Sequence, residues 1–292
     1  MHKDICYRIL SVGLRVGLGV AMLVSAAKAQ QNPNAPTQID LYCAGIATDQ
    51  AVPSDTYVIS GEDSHVKDTF HPGDLVYINR GAEQGVKIGD EFEVTRPVHD
   101  LMPNMWFKWQ RQLNRAMGTT YADIGRLRVM HVLAKTSIAE LTLACDMMQR
   151  GDIVLPFAAR PAPAFHAVKF DPFAAPSGKQ TAMIVNTKVF GALVGSGQIV
   201  YVNLGGAQGV RVGDYFRVFR YQGTNHEEAY QEAKTAYKIY GFGSTPVAYQ
   251  WDNLPRQVMG EGIVLRTGPN ASTVLLTSSR EEIFAGDYVE LE

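Results

Sequence analysis

Asp74-Leu-Val-Tyr-Ile-Asn-Arg-Gly-Ala-Glu-Gln-Gly-Val-Lys-Ile-Gly-Asp-Glu-Phe-Glu-Val-Thr-Arg96 is matched 124 residues later by Gln198-Ile-Val-Tyr-Val-Asn-Leu-Gly-Gly-Ala-Gln-Gly-Val-Arg-Val-Gly-Asp-Tyr-Phe-Arg-Val-Phe-Arg220. Twelve of the 23 positions are identical without a gap: Val76, Tyr77, Asn79, Gly81, Gln84, Gly85, Val86, Gly89, Asp90, Phe92, Val94 and Arg96 all recur. An internal repeat of this quality governs every later reading of a chain. Further on the offset becomes 135, with Gly125-Arg-Leu-Arg-Val129 against Gly260-Glu-Gly-Ile-Val264, Ser137 against Ser272, and Gly151-Asp152 against Gly286-Asp287. The second copy therefore holds 11 more residues between Arg220 and Gly260. Each copy is on the order of 100 residues, the size of a small domain and too long for a solenoid unit.

Within each copy the residues read as strand, turn, strand. Leu75 to Ile78 and Ile199 to Val202 are short β-branched and aromatic runs, which suit a pleated surface. Asn79, Gly81, Gly85, Gly89 and Asp90, with their counterparts Asn203, Gly205, Gly209, Gly213 and Asp214, are residue types that tight turns favour. Phe92/Val94 and Phe216/Val218 then alternate along one face. Gly125 to Val132 with Ala134 to Leu143, and Gly260 to Arg266 with Ser272 to Leu276, read as hairpins. Gly151-Asp152 and Gly286-Asp287 each open a closing strand. Short strands with glycine-rich turns predict a mainly all-β protein: two tandem small antiparallel β-barrels.

Each copy also carries a short helical insertion at the same point. Trp106, Trp109, Leu113, Ala116 and Met117 fall at helical spacing between Pro103 and Gly118. In the second copy Ala229, Ala233, Ala236, Tyr237 and Tyr240 do so, with Thr224-x-x-Glu227 as a capping box and Gly241 as a stop. Trp106, Phe107 and Trp109 are candidate partner-binding or sugar-stacking residues. The competing reading makes them the buried face of the helix, packed against its barrel.

The remaining segments complete the organisation. Residues 1–29 have a basic start (Lys3, Arg8, Arg15), an apolar run from Val16 to Ala27 and the close Ala27-Lys28-Ala29, the parts of a secretory signal peptide cleaved after Ala29. A segment spans 30–56, the first barrel 57–156 and the second 181–292. Between the barrels lies a linker, 157–180, bounded by Pro156 and rich in proline (Pro161, Pro163, Pro172, Pro176), which predicts an extended, semi-stiff spacer.

The whole chain has 292 residues and a net charge of −2. Without residues 1–29 it has 23 basic and 28 acidic residues, a net charge of −5, which counts against nucleic acid as a partner. Cys43 and Cys145 are then the only cysteines. In an oxidising compartment they are either a disulfide pair or two buried thiols.

The pattern Val-Tyr-Ile-Asn-x-Gly-x-x-x-Gly-Val-Lys-x-Gly-Asp-x-Phe-x-Val, followed by Gly-x-Leu-x-Val, Ser-x-Ala and Gly-Asp, resembles the C-terminal domain of flagellar assembly protein T. The resemblance covers both copies apart from the insertions and implies a small β-rich barrel that serves assembly in the bacterial envelope without catalysis. This chain has two such copies and none of that protein's other domains. Tyr57 to Gly61 with Pro72 to Leu75 also resembles the opening and closing phrases of a lysin motif, a peptidoglycan-binding module, although the first strands of a barrel account for the same residues.

Reactive constellations are sparse. The histidines show no metal-ligand spacing. Ser177-Gly178-Lys179 lacks the earlier glycine of a P-loop, Phe173 standing in its place. Asp90, Asp152, Asp214 and Asp287 each follow a glycine, where aspartate bonds nearby backbone N–H groups. The expectation is an exported, periplasmic or secreted envelope protein, non-enzymatic and without cofactor or metal. It would bind an envelope protein or a cell-wall component and touch the membrane only through an uncleaved signal or peripherally. The alternatives are a peptidoglycan or glycan binder and, behind it, a hydrolase whose site is assembled from distant residues.

Overall fold

A computed structural model describes residues 35–63, 65–98, 106–167, 170–189, 191, 193–222 and 254–292. The expected signal peptide and the second helical insertion lie outside the described residues. The strands of the first half are β1 (Ile46–Thr48), β2 (Val58–Gly61), β3 (Thr69–Phe70), β4 (Leu75–Ile78), β5 (Glu91–Pro97), β6 (Thr119–Val132), β7 (Ser137–Ala144), β8 (Met148–Gln149) and β9 (Ile153–Pro156). Those of the second are β10 (Thr181–Thr187), β11 (Leu193–Val194), β12 (Ile199–Val202), β13 (Tyr215–Gln222), β14 (Leu254–Thr267), β15 (Ser272–Ser279), β16 (Ile283–Phe284) and β17 (Tyr288–Leu291). Two helices are described, α1 (Gln38–Tyr42) and α2 (Gln110–Met117).

The protein is mainly β, as expected. The second half is a closed six-stranded barrel in the order β10-β12-β15-β14-β13-β17, with β17 pairing back onto β10. The first half has the same order, β2-β4-β7-β6-β5-β9, in a sheet curled into a half-barrel. A single bridge, Tyr57 to Ile153, joins its two ends. The Val58 N–H also donates to the Asp152 carbonyl at 2.9 Å. Antiparallel pairing throughout lets the short turns connect neighbouring strands.

Alternation places one set of side chains inside each ring. Val76, Ile78, Phe92, Val94 and Leu141 fill the first core, and Val200, Val202, Phe216, Val218 and Leu276 the second. Burying each such side chain stabilises the fold by about 1.5–3 kcal/mol relative to leaving it in water. The turns between paired strands use the repeated glycines in two ways. Gly85, Gly89, Gly209 and Gly213 have φ between 81° and 94°, the left-handed region where a Cβ is strained. Gly81 and Gly205 do not: their φ values are −140° and −139°. They are needed for close approach instead, because a Cβ on either would lie 2.4 Å from backbone atoms of the facing loop.

The segment before the first barrel is an inner layer, sandwiched between the two halves. α1 begins at a capping box, Thr37 accepting from the Asp40 N–H and Asp40 accepting from the Thr37 N–H. β1 adds to the edge of β6 through Ile46↔Tyr121 and Thr48↔Thr119. On the other side, Leu41 and Ala44 pack with Ile199, Ile263, Leu265 and Leu275 on the outer wall of the second barrel. The Tyr201 hydroxyl donates to the Ala44 carbonyl at 3.1 Å, and the Thr273 hydroxyl to the Gly45 carbonyl at 3.1 Å. Cys43 is bonded to Cys145, with Cα atoms 5.3 Å apart and a separation of 102 positions in sequence.

The stretch 157–180 has no regular secondary structure among its described residues, yet it is held along both barrels instead of hanging free between them. The His166 N–H donates to the Tyr215 hydroxyl, the Val258 N–H to the Pro172 carbonyl, and the Leu291 N–H to the Gln180 carbonyl. Proline suits such a strap, since it fixes an extended backbone and leaves few N–H groups to satisfy.

Candidate functional site

The elements meet at a charged junction. Asp123 on β6 is buried and accepts from three residues: the Gly45 N–H at 2.8 Å, Arg160 Nη1 at 3.0 Å, and Arg266 Nη1 at 3.0 and 3.2 Å, with a longer contact from Arg160 Nη2. Arg160 also reaches Glu93 at 2.5 Å and the Leu41 carbonyl at 3.0 Å. One carboxylate thus ties together the first barrel, the inner segment, the strap and β14 of the second barrel. Burial pulls the Arg266 guanidinium below its ordinary pKa, and Asp123 opposes that by favouring the charged form. Burial also pushes the nearby Tyr201 phenol well above its usual range, so it acts here as a neutral hydrogen-bond donor.

Beside this junction lies a cleft of about 210 Å³ lined by Thr48, Val52, Glu93, Tyr121, Asp123 and Arg266, among others. Its charged groups are already engaged in ion pairs, Glu93 with Arg160 and Asp123 with Arg266, so its chemistry is that of an internal clasp. The carboxyl most strongly displaced elsewhere is Glu261, pushed up to about 7 chiefly by burial and then by the neighbouring Glu292 charge, with Arg217 opposing. It lies outside the lining of that cleft. No group of three or more His, Cys, Asp or Glu side chains suited to a metal ion occurs among the described residues.

The turn motif does structural work at each position. Asn79 Oδ1 accepts from the Tyr57 N–H at 2.6 Å and its Nδ2 donates to the Asp55 carbonyl at 2.7 Å. Asn203 accepts from the Met183 N–H at 2.7 Å. Asp90 and Asp214 accept from the Lys87 and Arg211 N–H groups at 2.9 and 2.8 Å. Asp152 and Asp287, after Gly151 and Gly286, do the same for Gln149 and Phe284, both at 2.7 Å. They have a second task that sequence reasoning missed. Arg96 grips Asp152 through Nε at 2.6 Å and Nη2 at 2.8 Å. Arg220 grips Asp287 through the same atoms at 2.6 and 2.7 Å. These forked, charge-assisted pairs join β5 to the entry of β9, and β13 to the entry of β17. The recurrence of Arg96 as Arg220, beside that of Asp152 as Asp287, was the available signal.

The three candidate partner-binding residues separate. Phe107 is buried, packed with Met117, Val185, Tyr201 and Ala285, so it is not free to meet a partner. Trp106 and Trp109 remain 36% and 51% exposed. Trp109 has φ 72°, a left-handed backbone just before α2, and the Lys108 amine sits 5.1 Å from its ring. A non-glycine residue in that region costs on the order of 1 kcal/mol or more. α2 packs against β10 of the second barrel, although it projects from the first. Gln110 Nε2 donates to the Val185 carbonyl at 2.8 Å, while its Oε1 accepts from the Trp106 N–H at 2.8 Å. Asn186 bonds to Asn114 of the same helix.

No helix among the described residues is long and apolar enough to cross a membrane. No family model and no curated protein matches the chain.

Proposed function

We propose that this is an exported, non-catalytic protein of the bacterial cell envelope that acts as a scaffold or protein-binding module. The observation that carries the reading is where the polar chemistry goes. The conspicuous charged groups, Asp123 with Arg160 and Arg266, Arg96 with Asp152 and Arg220 with Asp287, are spent on one another inside the fold. They hold strands and layers together and present no open set of acid, base and nucleophile. The likeness of the turn motif to the C-terminal domain of flagellar assembly protein T supports the same class of role. Capture of envelope proteins on the immobilised chain from Gln30 tests it. Specific retention of one partner supports a scaffold, whereas hydrolysis of an envelope substrate by the purified protein would replace it with an enzyme.

A second reading, a peptidoglycan or glycan binder, is favoured by the exposed indoles of Trp106 and Trp109, because flat aromatic faces stack on sugar rings. Co-sedimentation with purified cell wall separates the two. Binding lost in a Trp106→Ala/Trp109→Ala double variant promotes the glycan reading, and absence of binding removes it.

A further inference from the structure

Between Trp106 and Gly118 the chain carries Lys108, Arg111 and Arg115 and no acidic residue, in a protein whose net charge from Gln30 onward is −5. The barrel side of this insertion is engaged. Gln110 and Met117 are buried, Leu113 packs at the margin of the cluster that holds Phe107, and Asn114 bonds to Asn186. At 3.6 residues per turn, Arg111, Gln112, Arg115 and Ala116 fall on the other side of α2, and all four are exposed. Trp106, Lys108 and Trp109, just ahead of the helix, are exposed as well. None of the three cations meets a carboxylate among the described residues. Where this fold uses arginine to hold itself together it pairs it, as in Arg96–Asp152, Arg160–Glu93 and Arg220–Asp287.

The charges on the outward side oppose the helix. Arg111 stands in the first turn and Lys108 just before it, with no acidic residue to offset them, where the positive end of the helix dipole disfavours a cation. Arg111 and Arg115 are four apart, the spacing at which like charges repel. Trp109 holds a left-handed backbone, φ 72°, which a non-glycine residue keeps only where its surroundings over-determine it. Two indoles stay in water, 36% and 51% exposed. Local rules broken together on one exposed face, with no compensation inside the fold, mark a functional surface. Its chemistry narrows the ligand. Lysine and arginine donate hydrogen bonds and cannot accept them, so the face suits a surface rich in anionic acceptors. The outward side of a helix is convex, and the Lys108 amine lies 5.1 Å from the centre of the Trp109 ring, over a face on which a sugar would stack. Indoles set among cations have instead the composition of an element that lies at the headgroup level of a bilayer, where the ring is half apolar and half wet.

We infer that Trp106, Lys108, Trp109, Arg111 and Arg115 form a docking face for an anionic phospholipid bilayer. The indoles enter the headgroup layer and the three cations meet lipid phosphates. The rest of the chain is net negative and is repelled by such a surface, so contact is confined to this face and fixes the orientation of the protein. The helix is already held on β10 through Gln110 and Phe107, so little has to be ordered on contact. The inference goes beyond both readings above and takes from the scaffold reading only a place in the envelope.

The test is co-sedimentation of the chain from Gln30, which includes the whole compact unit Asn34–Glu292, with vesicles of phosphatidylcholine mixed with phosphatidylglycerol, against phosphatidylcholine alone. Binding to the anionic vesicles only is expected, with tryptophan emission shifted to the blue and with release at high salt. Lys108→Gln/Arg111→Gln/Arg115→Gln should weaken binding about a hundredfold, while its melting temperature holds or rises, because the removed charges oppose the helix. Trp106→Ala/Trp109→Ala should weaken it at least about tenfold and remove most of the blue shift. Lys87→Gln/Lys135→Gln/Lys179→Gln takes as much charge from exposed sites elsewhere and should leave binding within about twofold. Absence of binding to anionic vesicles overturns the inference, as does equal loss in the two triple variants. Retention by purified cell wall without vesicle binding also overturns it and gives the face to the glycan reading. A chain that ignores vesicles yet captures one envelope protein overturns the bilayer contact and leaves the scaffold reading standing.

Discussion

Inside the two barrels equivalent positions hold equivalent chemistry, whereas outside them the two halves part company. Phe92 and Phe216, Val94 and Val218, and Leu141 and Leu276 occupy matching core sites, and the Arg–Asp clasps share the same two nitrogens. On the outer wall Tyr201 is sealed and Tyr77 is open, and Ile263 stands where Arg128 meets water. The interior of a barrel answers only to its own packing, which is intolerant of changes in volume or charge. The exterior answers to whatever is laid over it. Two equivalent walls under different covers are therefore free to diverge, and their divergence records the covers.

The largest expected effect comes from loosening a cover. Cys145→Ser frees the inner segment, and closing a loop of about 100 residues is worth roughly 4–5 kcal/mol in the chain-entropy account. Urea unfolding should register most of that loss, and binding of a hydrophobic dye should rise as the second barrel's wall is bared. Next comes the direct contrast of the two tyrosines. Tyr201→Ala should cost about 3–4 kcal/mol, through a cavity and the unpaired Ala44 carbonyl, whereas Tyr77→Ala should cost less than about 1 kcal/mol in the monomer. Equal losses would mean that the two walls are covered alike. A smaller difference is expected between the clasps. Arg220→Ala and Arg96→Ala each leave a buried carboxylate and should cost about 2–4 kcal/mol. The second barrel should suffer more, because the Asp287 side chain is wholly enclosed and Arg220 is less exposed than Arg96.

The smallest effect depends on pH. Glu261 is held up to about 7 when folded, against 4.5 when free. The native state then binds the extra proton between those values, so stability falls as pH rises from about 4.5 to 7 and levels off above. Glu261→Gln should be more stable than the parent at pH 8 by on the order of 1–2 kcal/mol, with the gap closing near pH 4.5. Urea titrations at the two pH values read this directly, and a constant gap would assign the gain to something other than the proton.

Much of the barrel architecture was legible because turns are local. Asn79, Gly85 and Gly89-Asp90 act within a few residues of themselves, and alternation at Phe92 and Val94 reports which face is buried. The cover was harder to see. β1 is three residues long, with no pattern of its own, and its role comes from contacts made more than 70 residues away. Phe107 and Trp109 stand two apart on one short insertion and meet opposite fates, because the surface that buries Phe107 belongs to the other barrel. A trace was nonetheless present. Ile199-Val-Tyr-Val202 is buried at every residue, whereas Leu75-Val-Tyr-Ile78 alternates. Apolar residues at Tyr215, Ile263 and Leu275, where the first copy has Glu91, Arg128 and Glu140, mark a strand with both faces dry.

The Cys43–Cys145 bond also has a consequence in time. A chain is made from its N-terminus, and its domains tend to fold in that order. Both sulfurs belong to the part made before Thr181, the first residue of the second barrel. Once joined, they hold Leu41, Ala44 and β1 against the first half with no help from any residue of the second barrel. The later barrel then closes against a wall already in place, and the earlier half becomes a mould for the one that follows.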